Sequence, residues 1–310
     1  MFIVDSHCDS IAFVAGKGRP LVNVHNFSSG YKQLQFVAMF CASREEGCED
    51  AYQKTLTYID AFERSLRDEA DRIVRVKTYS DIEYAFANNK HAALLAVEGG
   101  SGIKGSLSVL KDFYDVGVRV FGLAWLSNEL AKSNRLTEGE ADTGLTDLGR
   151  KVVIAGNELG LIFDASHLSD KSFWDLMCLS RKPVIASHSN FRTLCGHSRN
   201  LTDEMAKAIV ERDGMIGLNM YPPFINDDVS LQTVDGYFDH LDYCIDKFGA
   251  DNVGFGGDID GTSDEYPSPI VCTESIHDQF VTVMHRRGYS DDLIEKFAGG
   301  NYLNFLKKYL

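Results

Sequence analysis

At 310 residues, with 44% hydrophobic and 25% charged side chains, the chain has the composition of an ordinary globular protein and the length for a full core. A net charge of −14 argues against nonspecific binding to nucleic acid or to an anionic membrane surface, because both draw affinity from clustered Lys and Arg. The seven cysteines are scattered with no C-x-x-C pair, which excludes a disulfide framework or a zinc ribbon and, with no basic leader or bilayer-length apolar run, places the protein in the cytoplasm without a membrane partner.

The chain opens with MFIVDSHCDS, where residues 2–7 read as a strand. Alternate side chains of a strand share a face, so Asp5, His7 and Asp9 are expected together, with Ser6 and Cys8 opposite. Residues 10–33 read as irregular, 34–41 as a second strand and 49–72 as a helix. A capping box from Ser80 to Glu83 starts another helix. The run AALLAVE (92–98) ends in Glu98, on one face with Leu94 and Ala96. A helix at 106–117 and a strand at 118–125 follow, then a polar loop at 127–144 and a helix at 145–160. Strands at 161–167, 183–189, 215–221 and 253–260 alternate with helices at 171–180, 202–214 and 233–249, and a closing helix spans 290–310. Pro, Asp and Ser mark 222–234 and 262–272 as loops. Eight strands that are apolar throughout belong to a parallel sheet covered on both faces, and eight βα units in this length predict a (β/α)8 TIM-type barrel. With no repeat or linker, residues 1–310 read as a single catalytic domain.

Barrel chemistry gathers at the C-terminal ends of the strands, and this sequence places His7 and Asp9, Glu98, His167, His188, Asp258 and Asp260 there. Alternation puts His167 on one face with Phe163 and Ala165, and His188 with Val184 and Ala186. One histidine at a strand end is ordinarily a satisfied polar group. Together these residues would crowd unpaired charge into the barrel mouth unless a cation neutralised it. Three histidines and three carboxylates exceed one tetrahedral zinc and point to two ions sharing Glu98. Two ions lower the pKa of a bound water and polarise a carbonyl, the two needs of amide hydrolysis. Asp258, after two glycines, is placed to hold that water and pass its proton to the leaving amine. Asp260 reads as a structural hydrogen-bonding residue, and Asp164 as either a partner behind the ligands or a turn acid. Arg199 suits an anionic substrate group such as a carboxylate. Arg192 competes with it or makes a surface salt bridge, and His25 and His197 read as loop histidines.

The motifs DSHCDS, AVEGG, DASHLSD, PVIASHSN, HSRNLTDE, GFGGDIDG and GGNYLNFL together resemble the renal or membrane dipeptidase family of zinc peptidases along nearly the whole chain. The resemblance implies a barrel of the metal-dependent hydrolase type with two zinc ions. His7 and Asp9 would hold one, His167 and His188 the other, and Glu98 would bridge them. It also implies Asp258 as the acid/base and Arg199 as the residue that binds the carboxylate of a dipeptide substrate. Asn219 and Tyr221 match a substrate-cleft segment. One departure is visible: many members carry a His near the end of the fourth strand, in a pattern like L-T-H-N, where this chain reads GLAWLSN with Trp125. An indole donates a hydrogen bond but accepts no proton, so Trp125 is either a substrate contact or a barrel-wall aromatic. The expected activity is a zinc dipeptidase acting on peptides with a free C-terminal carboxylate. The alternative is a mononuclear or binuclear barrel hydrolase of another amide, ester or amine, which would share the metals without needing Arg199. A noncatalytic scaffold is disfavoured by Asp258. The pattern leaves the oligomeric state open, a homodimer included.

Overall fold

A computed structural model of the protein describes residues 1–23, 27–28, 30–41, 47–262, 265–271 and 274–310; His25 lies outside them. Apolar side chains along the strands sort into two layers. Val4, Leu34, Phe36, Leu94, Ala96, Val120, Ile162, Ile185 and Met215 meet inside one cluster. Ile3, Val37, Leu95, Phe121, Phe163, Ala186 and Ile216 face a second cluster shared with the surrounding helices.

The first half of the chain runs β1 (Phe2–Cys8), α1 (Ser10–Lys17), β2 (Lys32–Phe40), α2 (Gly47–Asp68), β3 (Ile73–Val76), α3 (Tyr79–Ala87), β4 (His91–Glu98), α4 (Leu107–Val116) and β5 (Val118–Gly122). It continues with α5 (Asp147–Leu159), β6 (Ile162–Asp164), α6 (Asp170–Leu179), β7 (Ile185–Ala186), α7 (Asp203–Glu211), β8 (Met215–Leu218), α8 (Val234–Phe248) and β9 (Val253–Phe255). The end comprises α9 (Ile276–Arg286), α10 (Asp291–Glu295), a π-helical turn at Lys296–Gly300 and α11 (Asn301–Tyr309). All named strand pairs are parallel, and β2–β4 pairing closes the ring β2-β1-β9-β8-β7-β6-β5-β4. This is a (β/α)8 barrel. Tyr302, Phe305 and Leu306 of α11 join the interior cluster, and the Tyr302 hydroxyl donates to Ser6 Oγ at 2.7 Å.

Each predicted run supplies one ring strand. Four expectations need correction. The four-residue strand β3, too short to stand out as a run, pairs with the first half of β4 outside the ring. Residues 10–17, expected to be irregular, form α1. Helix α9 has no counterpart among the predicted helices. Helix α3 begins one residue before Ser80, and its capping carboxylate is Asp81, which accepts the Thr78 N–H at 2.8 Å. Several strands are also shorter than their runs: β5 stops at Gly122, β6 at Asp164 and β7 at Ala186. The polar residues that follow are therefore carried on loops.

Two of these loops are tied together by His240 of α8, which is fully buried. Its Nε2–H donates to the Ile225 carbonyl at 2.8 Å and its Nδ1 accepts the Phe191 N–H at 3.3 Å. Only the neutral ring can do both. Burial lowers its pKa from 6.5 to about 4, so between these values the unfolded chain binds the extra proton and stability rises with pH. The contribution is complete above about pH 6.5 and is lost progressively down to pH 4, on the order of 3 kcal/mol in all. Urea titrations across that window should show the slope in the wild type and a flatter one in His240→Gln; equal slopes would contradict the assignment.

Candidate metal centre

Glu98 is the last residue of β4 and continues the inward face of Leu94 and Ala96, as alternation predicts. The histidines arrive otherwise. In β1, Asp5 pairs with Gln35 and Cys8 with Val37, so three steps on one strand match two on the other. The extra residue is a β-bulge. It separates His7 from Asp5, and the expectation that the two share a face fails. Asp5 Oδ2 instead accepts from His277 Nε2 of α9 at 2.8 Å, while Oδ1 accepts the N–H of Gly257 at 2.8 Å and of His7 at 3.2 Å. Phe163, Ala165, Val184 and Ala186 all face the outer cluster, so strict alternation would have sent His167 and His188 outward. They turn in because β6 and β7 have ended, and His167 takes a φ of 69°.

Of the six non-glycine residues with positive φ among the described residues, His167, Asp258 (54°) and Asp260 (66°) belong to this region. Each such conformation costs on the order of 1 kcal/mol and persists only where surrounding structure imposes it. At Gly256 an added Cβ would lie 2.1 Å from the Ser187 carbonyl oxygen, which explains the glycine pair ahead of Asp258: backbone there touches backbone.

The side chains converge on Glu98. Its Oε1 is 2.7 Å from His167 Nε2 and 3.4 Å from His188 Nε2, and its Oε2 is 3.4 Å from His7 Nε2. His7 Nε2 is also 3.4 Å from Asp9 Oδ2 and 4.0 Å from Asp258 Oδ1. The two Nε2 atoms of His167 and His188 are 3.0 Å apart. His7, Asp9 and Glu98 form one triad with metal-ligand spacing, and Glu98, His167 and His188 form another; His7, His188 and Asp258 form a third. The buried His7 Nε2 has no hydrogen-bond partner. An orphaned ring nitrogen facing carboxylates, with two imidazole nitrogens converging on the same carboxylate, fits divalent cations of the borderline type.

A network behind the ligands orients them. Asp164 Oδ1 accepts the N–H groups of Ser166 and Ser187, each at 2.9 Å, and Oδ2 accepts the Ser187 hydroxyl. Ser187 Oγ is 2.7 Å from His188 Nδ1. Because that hydroxyl gives its proton to Asp164, Nδ1 carries the ring proton and Nε2 keeps its lone pair toward Glu98. Asp164 therefore stands behind a ligand candidate. Asp260 accepts from Ser10 and pairs with Arg19, the structural role expected of it.

Burial lowers His167 to about 3, assisted by the positive charge of Arg199, and holds His188 well below its ordinary value. Both are neutral and able to ligate. Glu98 lies well below the carboxylate range because, against its burial, the three histidines favour its charge. His7 is raised despite burial by the charges of Glu98 and Asp9. Burial, then Glu98, pushes Asp9 up to about 7, and burial raises Asp258 as well.

A cavity of about 520 Å³ opens over the cluster, lined by Asp9, Glu98, Trp125, Arg135, His167, Tyr221, Phe224, Asp258 and Glu265 among others. Trp125 lies on the loop after β5 rather than in the strand, its ring 4.7 Å from Phe40 and 6.0 Å from His167. It is a cavity-wall residue. Tyr221 also lines the cavity; Asn219 and Arg199 are not among its lining residues, and both are buried. Asn219 Nδ2 donates to Asp258 Oδ2 at 2.9 Å and its Oδ1 accepts the Tyr221 N–H at 2.7 Å. The Asn219 amide thus bridges Asp258 and the backbone of Tyr221. Arg199 donates from Nη1 to Ser189 Oγ at 2.7 Å. Its Nε and Nη2 have no partner. Arg192, the competing arginine, pairs with Asp170 at 2.6 Å and serves as a surface salt bridge. His197 accepts the Arg199 N–H at 3.1 Å. Ser187, His277 and Arg135 also approach this region without a signal in the sequence. The first follows an apolar pair like any strand-end serine, and the other two lie in segments whose patterns gave no sign of approaching the mouth.

Comparisons with known proteins give the chain's family and solved structures of similar fold. A family model described as membrane dipeptidase, peptidase family M19, matches residues 1–309. The dipeptidase tcpJ of Claviceps purpurea (strain 20.1) is 31% identical over 275 residues, which are 86% of this chain and 64% of that protein. The chain spans 60–64% of the length of three curated dipeptidases that it matches. A metallo peptidase from Rhodobacter sphaeroides, liganded with a phosphinate mimic of the dipeptide L-Ala-D-Ala, has a TM-score of 0.88 at 23% identity, with 100% of this chain and 99% of that one covered. The structure of dipeptidase AC, of family M19, gives 0.88 at 25% identity, with 100% and 98% covered.

Proposed function

The chain belongs to the membrane dipeptidase family, peptidase family M19, and from that membership we propose that it is a metal-dependent dipeptidase that hydrolyses dipeptides bearing a free C-terminal carboxylate. The observation that carries the reading is the division of Glu98: one oxygen faces His7 and the other faces His167 and His188. His7 and Asp9 would hold one zinc ion, His167 and His188 a second, and Glu98 both. Bound divalent ions supply an acidified water and a polarised carbonyl.

The chain's own groups do the rest. Asp258 lines the cavity and is oriented by Asn219. It takes the proton of the attacking water and returns it to the amine nitrogen as the C–N bond breaks. Its burial-raised pKa lies in the direction such a carrier needs. Arg199 is a buried guanidinium with two unpartnered nitrogens, a costly arrangement that an anion relieves. The substrate's C-terminal carboxylate is that anion, and Trp125 and Tyr221 form the walls beside it. No helix among the described residues is long and apolar enough to cross a membrane; the cytoplasmic location rests on the scattered cysteines of the sequence.

Elemental analysis together with hydrolysis of L,L and L,D dipeptides, and of their N-acylated and C-amidated forms, tests this function. About two zinc ions per chain, with cleavage confined to free carboxylates, is the expected result; two ions without dipeptide cleavage would favour a barrel hydrolase of another amide or ester. Arg199→Ala should retain its metal and raise KM by roughly 10- to 100-fold, the loss of one charge-assisted pair. An unchanged KM would remove Arg199 from substrate binding.

A further inference from the structure

Arg135 is an exposed residue that lines the same cavity as the metal-ligand candidates. Its guanidinium carbon lies 4.3 Å from the centroid of the Trp125 ring, and it makes no ion pair among the described residues. The position is built. The Arg135 N–H donates to Ser133 Oγ at 3.2 Å, which in turn donates to the Trp125 carbonyl at 2.7 Å. The next link is the Asn134 N–H, which donates to the His167 carbonyl at 2.8 Å. The loop is thus fastened at once to the aromatic wall and to a histidine of the cluster, and stacking on the indole restricts the guanidinium further.

The other charges at the mouth have partners or a place in the proposed chemistry. Asp260 is paired with Arg19, Asp9 and Glu98 belong to the metal cluster, and Asp258 is held by Asn219. Glu265 lines the same cavity beside Tyr221, whose pKa is raised by burial and then by Glu265 and is opposed by the charge of Arg135. Arg135 is thus a cation held at the rim that no carboxylate among the described residues pairs with, Glu265 included, while Arg199 is enclosed and suits the backbone carboxylate. A cavity of about 520 Å³ leaves room for a side chain beyond the dipeptide backbone.

We propose that Arg135 is a specificity residue that selects dipeptides carrying an acidic side chain, Asp or Glu, by pairing with that side-chain carboxylate at the cavity rim. The proposal rests on the dipeptidase reading. It is tested by measuring kcat/KM of the zinc-loaded enzyme for Ala-Ala and for the isosteric pairs Ala-Glu with Ala-Gln and Glu-Ala with Gln-Ala. The wild type is expected to favour Glu over Gln by roughly 10-fold or more at one of the two positions, as one charge-assisted contact predicts. Raising the salt concentration should shrink that ratio, because the contact is exposed. In Arg135→Gln the ratio should fall to about one, with Ala-Gln or Gln-Ala cleavage reporting the folded enzyme. Arg135→Glu should invert the preference toward Lys-containing substrates. A Glu-to-Gln ratio near one in the wild type, or one that survives Arg135→Gln, overturns the proposal; so does an equal loss on both members of each pair, which would make Arg135 a general binder of the backbone carboxylate. Failure of the wild type to cleave any of the five peptides refutes the dipeptidase reading itself and this proposal with it, whereas cleavage of Ala-Ala without acidic preference refutes this proposal alone.

Discussion

With the proposed two-zinc dipeptidase centre, Glu98→Ala is expected to lower the zinc content from about two ions per chain to one or none and to reduce dipeptide hydrolysis by roughly 1,000-fold or more, the scale set by losing the activation of water and carbonyl together. The size of the effect follows from the position of one side chain between two sets of ligands. His167 and His188 share Oε1 and His7 approaches Oε2, so each triad that contains Glu98 loses a member when it is removed. Shortening to Ala also leaves His167 and His188 without the carboxylate oxygen they both approach. Glu98→Gln is the sharper variant because it keeps the volume and removes the negative charge. It should bind zinc more weakly while retaining the fold, visible as a smaller rise in Tm on adding zinc than the wild type shows. Elemental analysis after dialysis reads the first effect and initial rates the second. Two zinc ions retained in Glu98→Ala would place the bridge elsewhere.

Asp258→Asn separates a proton carrier from a ligand. Asp258 is close enough to His7 and His188 to form a metal-ligand triad with them, yet its Oδ1 is 4.0 Å from His7 Nε2, farther than the Asp9 and Glu98 oxygens at 3.4 Å. Its other oxygen is occupied by the Asn219 amide at 2.9 Å. An amide in its place can still accept from Asn219 but cannot take up a proton. The expected outcome is a 100- to 10,000-fold fall in kcat, roughly the range for removing a general acid/base, with KM and metal content little changed. A loss of one zinc ion would make Asp258 a ligand, and an unchanged kcat would remove it from proton transfer. Asn219→Ala should reproduce part of the kcat loss without loss of metal, since it frees Asp258 to rotate and leaves the carboxyl group itself in place.

The barrel was legible because burying both faces of a parallel sheet demands apolar runs, and eight such runs supply the eight ring strands. The membership of the cluster was legible for a related reason. Ionisable residues at the ends of otherwise apolar runs have no ordinary place in a core, and His7, Asp9, Glu98, His167, His188 and Asp258 stand out there. Their directions were legible only at Glu98, where β4 is regular to its last residue. Alternation misplaces Asp5 relative to His7 and would send His167 and His188 outward, because a bulge, a left-handed φ and two early strand ends change the phase. The chain by itself determined the fold class and the chemical inventory of the site, since both follow from which residue types are present and in what order. Tertiary structure alone decided that Asp5 turns to His277, that Asn219 holds Asp258, that Ser187 links Asp164 to His188 and that Arg135 is laid over Trp125. Those contacts are made across strands and loops far apart in sequence, where direction depends on the register of neighbours and not on local spacing.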